Sequence, residues 1–342
     1  MKKVLITGHR GQDGAYLSRF LLDKGCQVYG ADRSGDSGLW RLRELGIEGK
    51  VKEIALDLLE PTNIMDALEK VRPDEIYNFA AQSFVQLSFE QPILTAEVNA
   101  VGVTRMLEAI RKVCPAARFY QASTAELFGS TGSAQRNETT VFHPKSPYGV
   151  SKLYAHWITV NYRQVYGMHA SCGILFNHES PLRGEEFVTR KIAAAAARIK
   201  KGLQEKVTVG NLESRRDWGY AKEFVEGMWL MLQQPKADDY ILATGETHTV
   251  REFAETAFAA AGLKLHWKGK GLAEKGLDVK TGRTLVEVSK AFYRPAEVDL
   301  LVGDATKART KLGWTPKTKF KDLAALMVDA ELKRLGKKKV NL

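Results

Sequence analysis

The first apolar run of the chain, KVLITG at residues 3–8, is almost unbroken, which predicts a short strand buried on both faces of a parallel sheet. Behind it the period changes. Tyr16, Leu17, Phe20 and Leu21 recur at helical spacing through AYLSRFLLDKG, and Gly25 closes the helix. QVYGADRS then predicts a second strand, ending in Asp32. EIALDLLE reads as a strand ending at Asp57, DEIYNFAAQS (74–83) as a strand running into a turn of small residues, and ARFYQASTAELFG (117–129) as a strand with a polar end. The stretch KGKGLAEKGLDVKTGRTLV is the most loop-like of the chain, and mobility is expected there.

Strands alternating with helices predict an α/β fold with a doubly wound parallel sheet. The turn GHRGQDG (8–14) adds the use of its first unit. In Gly8-x-x-Gly11-x-x-Gly14 the first glycine permits a tight turn, the second lets a pyrophosphate approach the backbone, and the third lets helix and strand pack closely. Strand, turn, helix and strand in this order read as a Rossmann-type dinucleotide-binding unit, with Gln12 and Asp13 beside the ligand. Asp32 lies 18 residues past Gly14, where a carboxylate binds the adenine ribose hydroxyls and repels a 2′-phosphate, which favours NAD. Arg33 and Ser34 follow at once and are equally able to hold that phosphate, so NADP stays open. Asp57, by carboxylate or neighbouring backbone, is placed to meet the adenine.

Composition narrows the setting. With 342 residues, 44% of them hydrophobic and 27% charged, the chain suits a globular protein of two domains, at roughly 150 residues each. Its net charge of +11 raises the question of a polyanionic partner, but the terminal LKRLGKKKVNL supplies five of the cations and reads as a frayed, solvated helix end. No basic stretch is interleaved with aromatics as in a nucleic-acid platform, and a phosphate-bearing small molecule accounts for the rest. Cys26, Cys114 and Cys172 lack metal or disulfide spacing and are expected as buried free thiols in a reducing compartment. No leader-like segment or long apolar span is apparent, so a cytoplasmic protein, off the membrane, is expected.

The chemistry is expected at the carboxyl ends of the strands. SPYGVSKLYAHW (146–157) places Tyr148 and Lys152 four residues apart, on one helix face. A tyrosine with a pKa near 10 is a poor base at neutral pH; a neighbouring ammonium and the positive ring of an oxidised nicotinamide favour its phenolate. Ser123 and Thr124 end the strand before it. Simple hydride transfer needs no more than this, so Glu126 implies a second proton transfer, at carbon.

Taken together, LITGHRGQDGAYL, RLRELGIEG, YNFAAQSFV, RFYQASTAELFG, SPYGVSKLYAHWITVNYR, GILFNHESPLRGEEFVTRKI, RRDWGYAKEFVEGMW and FYRPAEVDLLVGD resemble the GDP-mannose 4,6-dehydratases, a family of extended short-chain dehydrogenase/reductases, and the likeness runs on through KLGWTPKTKFKDL. The resemblance implies an enzyme with Thr124, Glu126, Tyr148 and Lys152 as its catalytic set. It implies a cofactor, NADP by family habit, held by the Gly8 turn, Arg33, Asp57, Leu58, Ala80, Ala81, Gln82, Ser83, Tyr148, Lys152, His178 and Arg183. GDP-sugar contacts are implied from Ser83, Thr124, Glu126, Tyr148, Asn177, Val188, Lys191, Arg216, Arg294 and Glu297. It further implies a dinucleotide domain of residues 1–175 plus 217–246, a smaller C-terminal nucleotide-sugar domain of 176–216 plus 247–342, and a homo-oligomer, dimer or tetramer, built in part by the amphipathic LWRLRELG. Two departures stand out: Ala125 where the family commonly has serine, and acidic Asp32 in place of an arginine-rich stretch. They keep NAD, and a related substrate such as a GDP-heptose, as alternatives. An epimerase or 4-keto reductase leaves Glu126 without a task, and a non-catalytic cofactor-binding protein has no reason to keep Thr, Glu, Tyr and Lys together.

Overall fold

The computed structural model describes residues 1–33, 38–129, 135–292 and 300–338. Strands β1 (Lys3–Thr7), β2 (Gln27–Asp32), β3 (Lys52–Ala55), β4 (Glu75–Asn78), β5 (Arg118–Thr124) and β6 (Ala170–Leu175) lie in one sheet. The short strands β7 (Asn177–Glu179), β8 (Val207–Val209), β9 (Arg215–Arg216) and β10 (Trp218–Tyr220) follow outside it, and β11 (Tyr240–Leu242) returns to its edge. The order β11-β6-β5-β4-β1-β2-β3, parallel at every pairing, is the doubly wound α/β arrangement that the alternation of patterns predicts.

Helices α1 (Gln12–Asp23), α2 (Leu39–Glu44), α3 (Pro61–Val71), α4 (Val85–Glu90), α5 (Pro92–Ala96), α6 (Gly102–Val113), α7 (Pro147–Tyr166), α8 (Val188–Lys200) and α9 (Ala221–Gln233) connect these strands. The two-residue period of a strand divides the core. Val4 and Ile6 join Leu17, Leu21 and Met228 on the α1 and α9 side, whereas Leu5 joins Leu68, Met106 and Ile110 on the α3 and α6 side. Each fully buried leucine or isoleucine contributes roughly 1.5–3 kcal/mol. The chain then adds β12 (His248–Thr249), α10 (Val250–Ala260), β13 (Leu265–Lys268), β14 (Lys275–Asp278), β15 (Thr284–Val288), β16 (Leu300–Leu301) and α11 (Phe320–Lys338). A separate core of Ile192, Phe253, Phe258, Val286 and Met327 joins α8, α10 and α11 to these strands.

Three expectations change. β3 stops at Ala55, short of Asp57, because Asp57 turns to hold a loop: its Oδ1 accepts from Leu59 N–H at 3.0 Å and its own N–H donates to Asn63 Oδ1 at 2.8 Å. The loop-like KGKGLAEKGLDVKTGRTLV instead carries most of the antiparallel pair β14–β15, anchored by buried Leu285 and Val286 and turned at Gly282, whose φ is +70°. The basic terminal segment is helical through Lys338, and Arg334 holds Glu44 of α2 at 2.5 Å, so this part is docked. The three cysteines are free, with Cys172 buried and the other two half-buried. Among the described residues no helix is long and apolar enough to cross a membrane, and no cluster of His, Cys, Asp and Glu is placed to hold a metal ion.

One surface is unusual. Val150, Tyr154, Trp157 and Val165 form a stripe along α7, each about half exposed, beside Ile93 and Leu94 of α5.

Candidate active site

At the end of β1 the chain turns through Gly8, whose φ of +68° suits glycine alone, and a Cβ there would meet Ala80 N at 2.9 Å. A Cβ on Gly14 would lie 2.4 Å from Gly8 O, so turn and helix are packed backbone to backbone. α1 starts at Gln12 behind Gly11, with no side chain capping it, and its first N–H groups and positive dipole end face the turn. A dinucleotide diphosphate fits this cradle: bare backbone, unmet N–H donors, and no side chain to exclude it.

The turn opens into a cleft of about 1940 Å³ lined by Asp32, Arg33, Asp57, Leu58 and the Ala80–Ser83 turn, as well as Gly8, Gly11 and Arg183. It adjoins a pocket of about 260 Å³. There β5 ends, and Thr124 caps the short helical turn that carries Glu126, its Oγ1 accepting from Glu126 N–H at 3.2 Å. Facing it is α7, started by Ser146, whose hydroxyl accepts from Gly149 N–H at 3.0 Å, and by Pro147 in the first turn. Hence Tyr148 and Lys152 come to the same pocket, together with Gln12, Asp13, Gly14, Ser83, Asn177 and His178.

Lys152 is buried and donates from Nζ to Ala122 O at 3.0 Å, 6.0 Å from the Tyr148 ring centre. Burial pushes its pKa down to about 8, against the pull of Asp13. Burial pushes Tyr148 up to about 12; a hydrogen bond with Thr124 opposes the rise and Glu126 adds to it. Desolvation therefore outweighs the Thr124 hydrogen bond and the pull of Arg183 in the protein alone, and a low phenol pKa requires further positive charge in the pocket.

Asp13 and His178 form a second buried pair, Nε2 to Oδ2 at 2.9 Å, with His178 Nδ1 2.7 Å from Phe176 O. Burial disfavours both charges, yet His178 and Arg183 hold Asp13 below its usual range and Asp13 holds His178 above its own. Gln12 Nε2 donates to His178 O at 3.0 Å and Gln12 Oε1 accepts from Ser180 Oγ at 2.7 Å, tying the start of α1 to β7. Arg183 lies 3.6 Å from the Phe187 ring centre.

The remaining expected residues are spread more widely. Val188 and Lys191 open α8, with Lys191 Nζ 3.5 Å from the Phe292 ring centre and its pKa lowered by burial. Arg216 is buried on β9, next to Asp217, whose carboxylate gathers the Thr244 and Gly245 amides at 2.8 and 2.9 Å. None of the three lines the pocket that holds Thr124, Glu126, Tyr148 and Lys152. Ser34, Arg294 and Glu297 lie outside the described residues.

Sequence reasoning missed Asn99. It sits in a π-helical turn, Glu97–Val101, between α5 and α6; its Oδ1 accepts from Gln82 N–H and its Nδ2 donates to Gln82 O, both at 2.8 Å, and it reaches Ser151 Oγ at 3.3 Å. One buried amide thereby locks the Ala80–Ser83 turn to α7. The only signal in the sequence is a polar residue amid the apolar EVNAVGV. Glu186, at the junction of pocket and cleft, was also passed over.

Residues 5–327 match a family model described as GDP-mannose 4,6 dehydratase. A GDP-mannose 4,6-dehydratase of Sinorhizobium fredii (strain HH103) is 52% identical over 342 residues, covering 98% of this chain and 97% of that protein. A Homo sapiens GDP-mannose 4,6 dehydratase is 47% identical over 338 residues, 96% of this chain and 91% of that one. The crystal structure of the Thermus thermophilus UDP-glucose 4-epimerase in complex with NAD superposes with a TM-score of 0.79 at 29% identity, covering 96% of this chain and 98% of that chain.

Proposed function

The chain belongs to the GDP-mannose 4,6-dehydratase family, and from this we propose that it converts GDP-mannose to GDP-4-keto-6-deoxymannose with a bound nicotinamide dinucleotide. The observation that carries the reading is the meeting of Thr124, Glu126, Tyr148 and Lys152 in one small pocket beside the glycine turn. The cofactor is held by the Gly8–Gly14 turn, Asp32, Arg33, Asp57, Leu58 and the Ala80–Ser83 turn, with Tyr148, Lys152, His178 and Arg183 toward its reactive end. A nicotinamide bound there would supply reversible hydride transfer, accepting from C4 of the sugar and donating to C6.

Tyr148 removes the proton of the C4 hydroxyl while Thr124 orients that oxygen, and Lys152 supports the phenolate electrostatically. The C4 ketone acidifies the neighbouring C5 proton. Glu126 removes that proton and then gives one to the departing C6 hydroxyl, which leaves as water; C5 is finally reprotonated. Ser83 and Asn177 border the sugar, and Val188, Lys191 and Arg216 extend toward the GDP moiety, with Arg294 and Glu297 assigned to the same clamp by resemblance. Guanidinium groups suit a diphosphate through paired hydrogen bonds.

In this reading residues 1–175 and 217–246 form the dinucleotide domain, and 176–216 with 247–342 the sugar-nucleotide domain. The apolar stripe on α7 and α5 supports a homo-oligomer that covers it. The free thiols support a cytoplasmic setting. Incubation with GDP-mannose in D2O, followed by NMR, tests the function: a new C6 methyl signal with deuterium at C5 and no build-up of reduced cofactor is expected. An unchanged sugar with NAD or NADP supplied overturns it.

A further inference from the structure

His9 is the least expected residue of the phosphate turn. Its side chain is fully buried beneath β2, where Gly30 leaves the space: a Cβ on Gly30 would meet the imidazole at 2.3 Å. Nδ1 lies 2.8 Å from Asp32 Oδ2 and Nε2 3.5 Å from Glu53 Oε1 on the neighbouring strand. Neither nitrogen makes an aligned hydrogen bond among the described residues, so both contacts are electrostatic. A buried imidazole left in this state is costly and needs a reason. The two carboxylates supply it.

Asp32 lines the cleft and remains a quarter exposed there, while Glu53 on β3 meets His9 and Arg10. Arg10 N–H donates to Asp32 Oδ2 at 3.1 Å, and the Arg10 guanidinium pairs with Glu53. Oδ2 is thus engaged from below by His9 and from the turn by the Arg10 backbone, while among the described residues no partner is recorded for Oδ1. A carboxylate held in this way offers an acceptor to a hydroxyl and repels a phosphate.

We infer that His9 is a specificity-determining residue: wedged under β2, it fixes Asp32 as the acceptor for the free 2′-hydroxyl of NAD and so sets the cofactor preference against NADP. This rests on the nicotinamide dinucleotide of the proposed function and selects between its two forms. Exposed Arg33 is the group that pulls the other way, whereas the Arg10 guanidinium is engaged by Glu53.

The test is calorimetric titration of the full-length protein, stripped of bound nucleotide, with NAD and with NADP, no sugar present. Wild type is expected to bind NAD at least about tenfold more tightly. His9→Leu, which keeps the volume beneath Gly30 filled, is expected to shrink that ratio several-fold through weaker NAD binding. Asp32→Asn is expected to abolish it. Equal or tighter binding of NADP by the wild type overturns the inference, and so does an unchanged ratio in His9→Leu. Should His9→Leu not fold by circular dichroism, His9→Gln takes its place with the same expected direction. A protein that selects NAD but leaves GDP-mannose untouched counts against the dehydratase reading alone.

Discussion

Burial decides the resting charge of the pocket's titratable residues before any ligand arrives. Lys152, buried on α7, has its pKa pushed down to about 8, below the ordinary lysine value. Its folded state therefore binds fewer protons than the unfolded chain between pH 8 and about 10.5, and stability from this group rises with pH across that window. Below pH 8 the full cost of the buried ammonium is present. Lys152→Met is thus expected to raise stability at pH 7 by up to roughly 3 kcal/mol, less the lost bond to Ala122, with the advantage fading toward pH 10.5. Chemical denaturation at pH 7 and pH 10 checks the sign, and activity should fall by at least about a hundredfold. Glu126→Gln separates the two proton transfers: reduced cofactor is expected to form on the enzyme while 6-deoxy product falls by about a hundredfold or more. Normal product release by that variant removes Glu126 from its role.

At the scale of elements, the site is a set of strand ends held in register by helices. Gly14 lets α1 meet β1 with no side chain between them. Gly14→Ala places a Cβ 2.4 Å from Gly8 O, and the expected result, read by dinucleotide titration and thermal melting, is loss of cofactor binding together with a lowered melting temperature. The π-helical turn has a different task, since Asn99 spans from the Gln82 backbone to α7. Asn99→Ala leaves the part-buried Gln82 N–H and C=O without this partner and should cost roughly 1–3 kcal/mol. Because the loosened turn borders the cofactor cleft, its dinucleotide affinity should drop as well, which distinguishes it from an ordinary core lesion. Asp13 and His178 join α1 to β7 in a similar way, and the pair crosses from the cofactor turn to the strand that carries Asn177.

Over the whole molecule, the parallel sheet and the α8–α10–α11 core form two masses whose contacts include Arg334 of α11 with Glu44 of α2, while inside the second mass Arg190 of α8 pairs with Glu331 of α11, almost fully buried at 2.5 Å. Removing one partner of the buried pair is the damaging change, because the other is left charged in the interior. The exposed apolar stripe belongs to this scale too. Trp157→Glu is expected to lower the oligomeric state, measured by light scattering, with little effect on the fold of the protomer, since that side chain is 54% exposed. An unchanged mass places the interface elsewhere.

The parallel sheet, the glycine turn and the pairing of Tyr148 with Lys152 were legible in the sequence because each rests on a local period or spacing: two for strands, near 3.6 for helices, three for the turn. Glu126 was singled out by its chemistry, a carboxylate that simple hydride transfer does not need, and the family likeness added it to the expected catalytic set. The β14–β15 pair and the docking of Arg334 were not legible, because partners distant in the chain decide them: Val286 in a separate core, Glu44 on α2; the end of β3 escaped because Asp57 holds its own loop through Leu59 and Asn63, which periodicity does not show. The same holds for Asn99 and His9. Neither carries a spacing signal of its own, and only tertiary packing, which removes water and brings Gln82, Ser151, Asp32 and Glu53 within reach, gives each work to do.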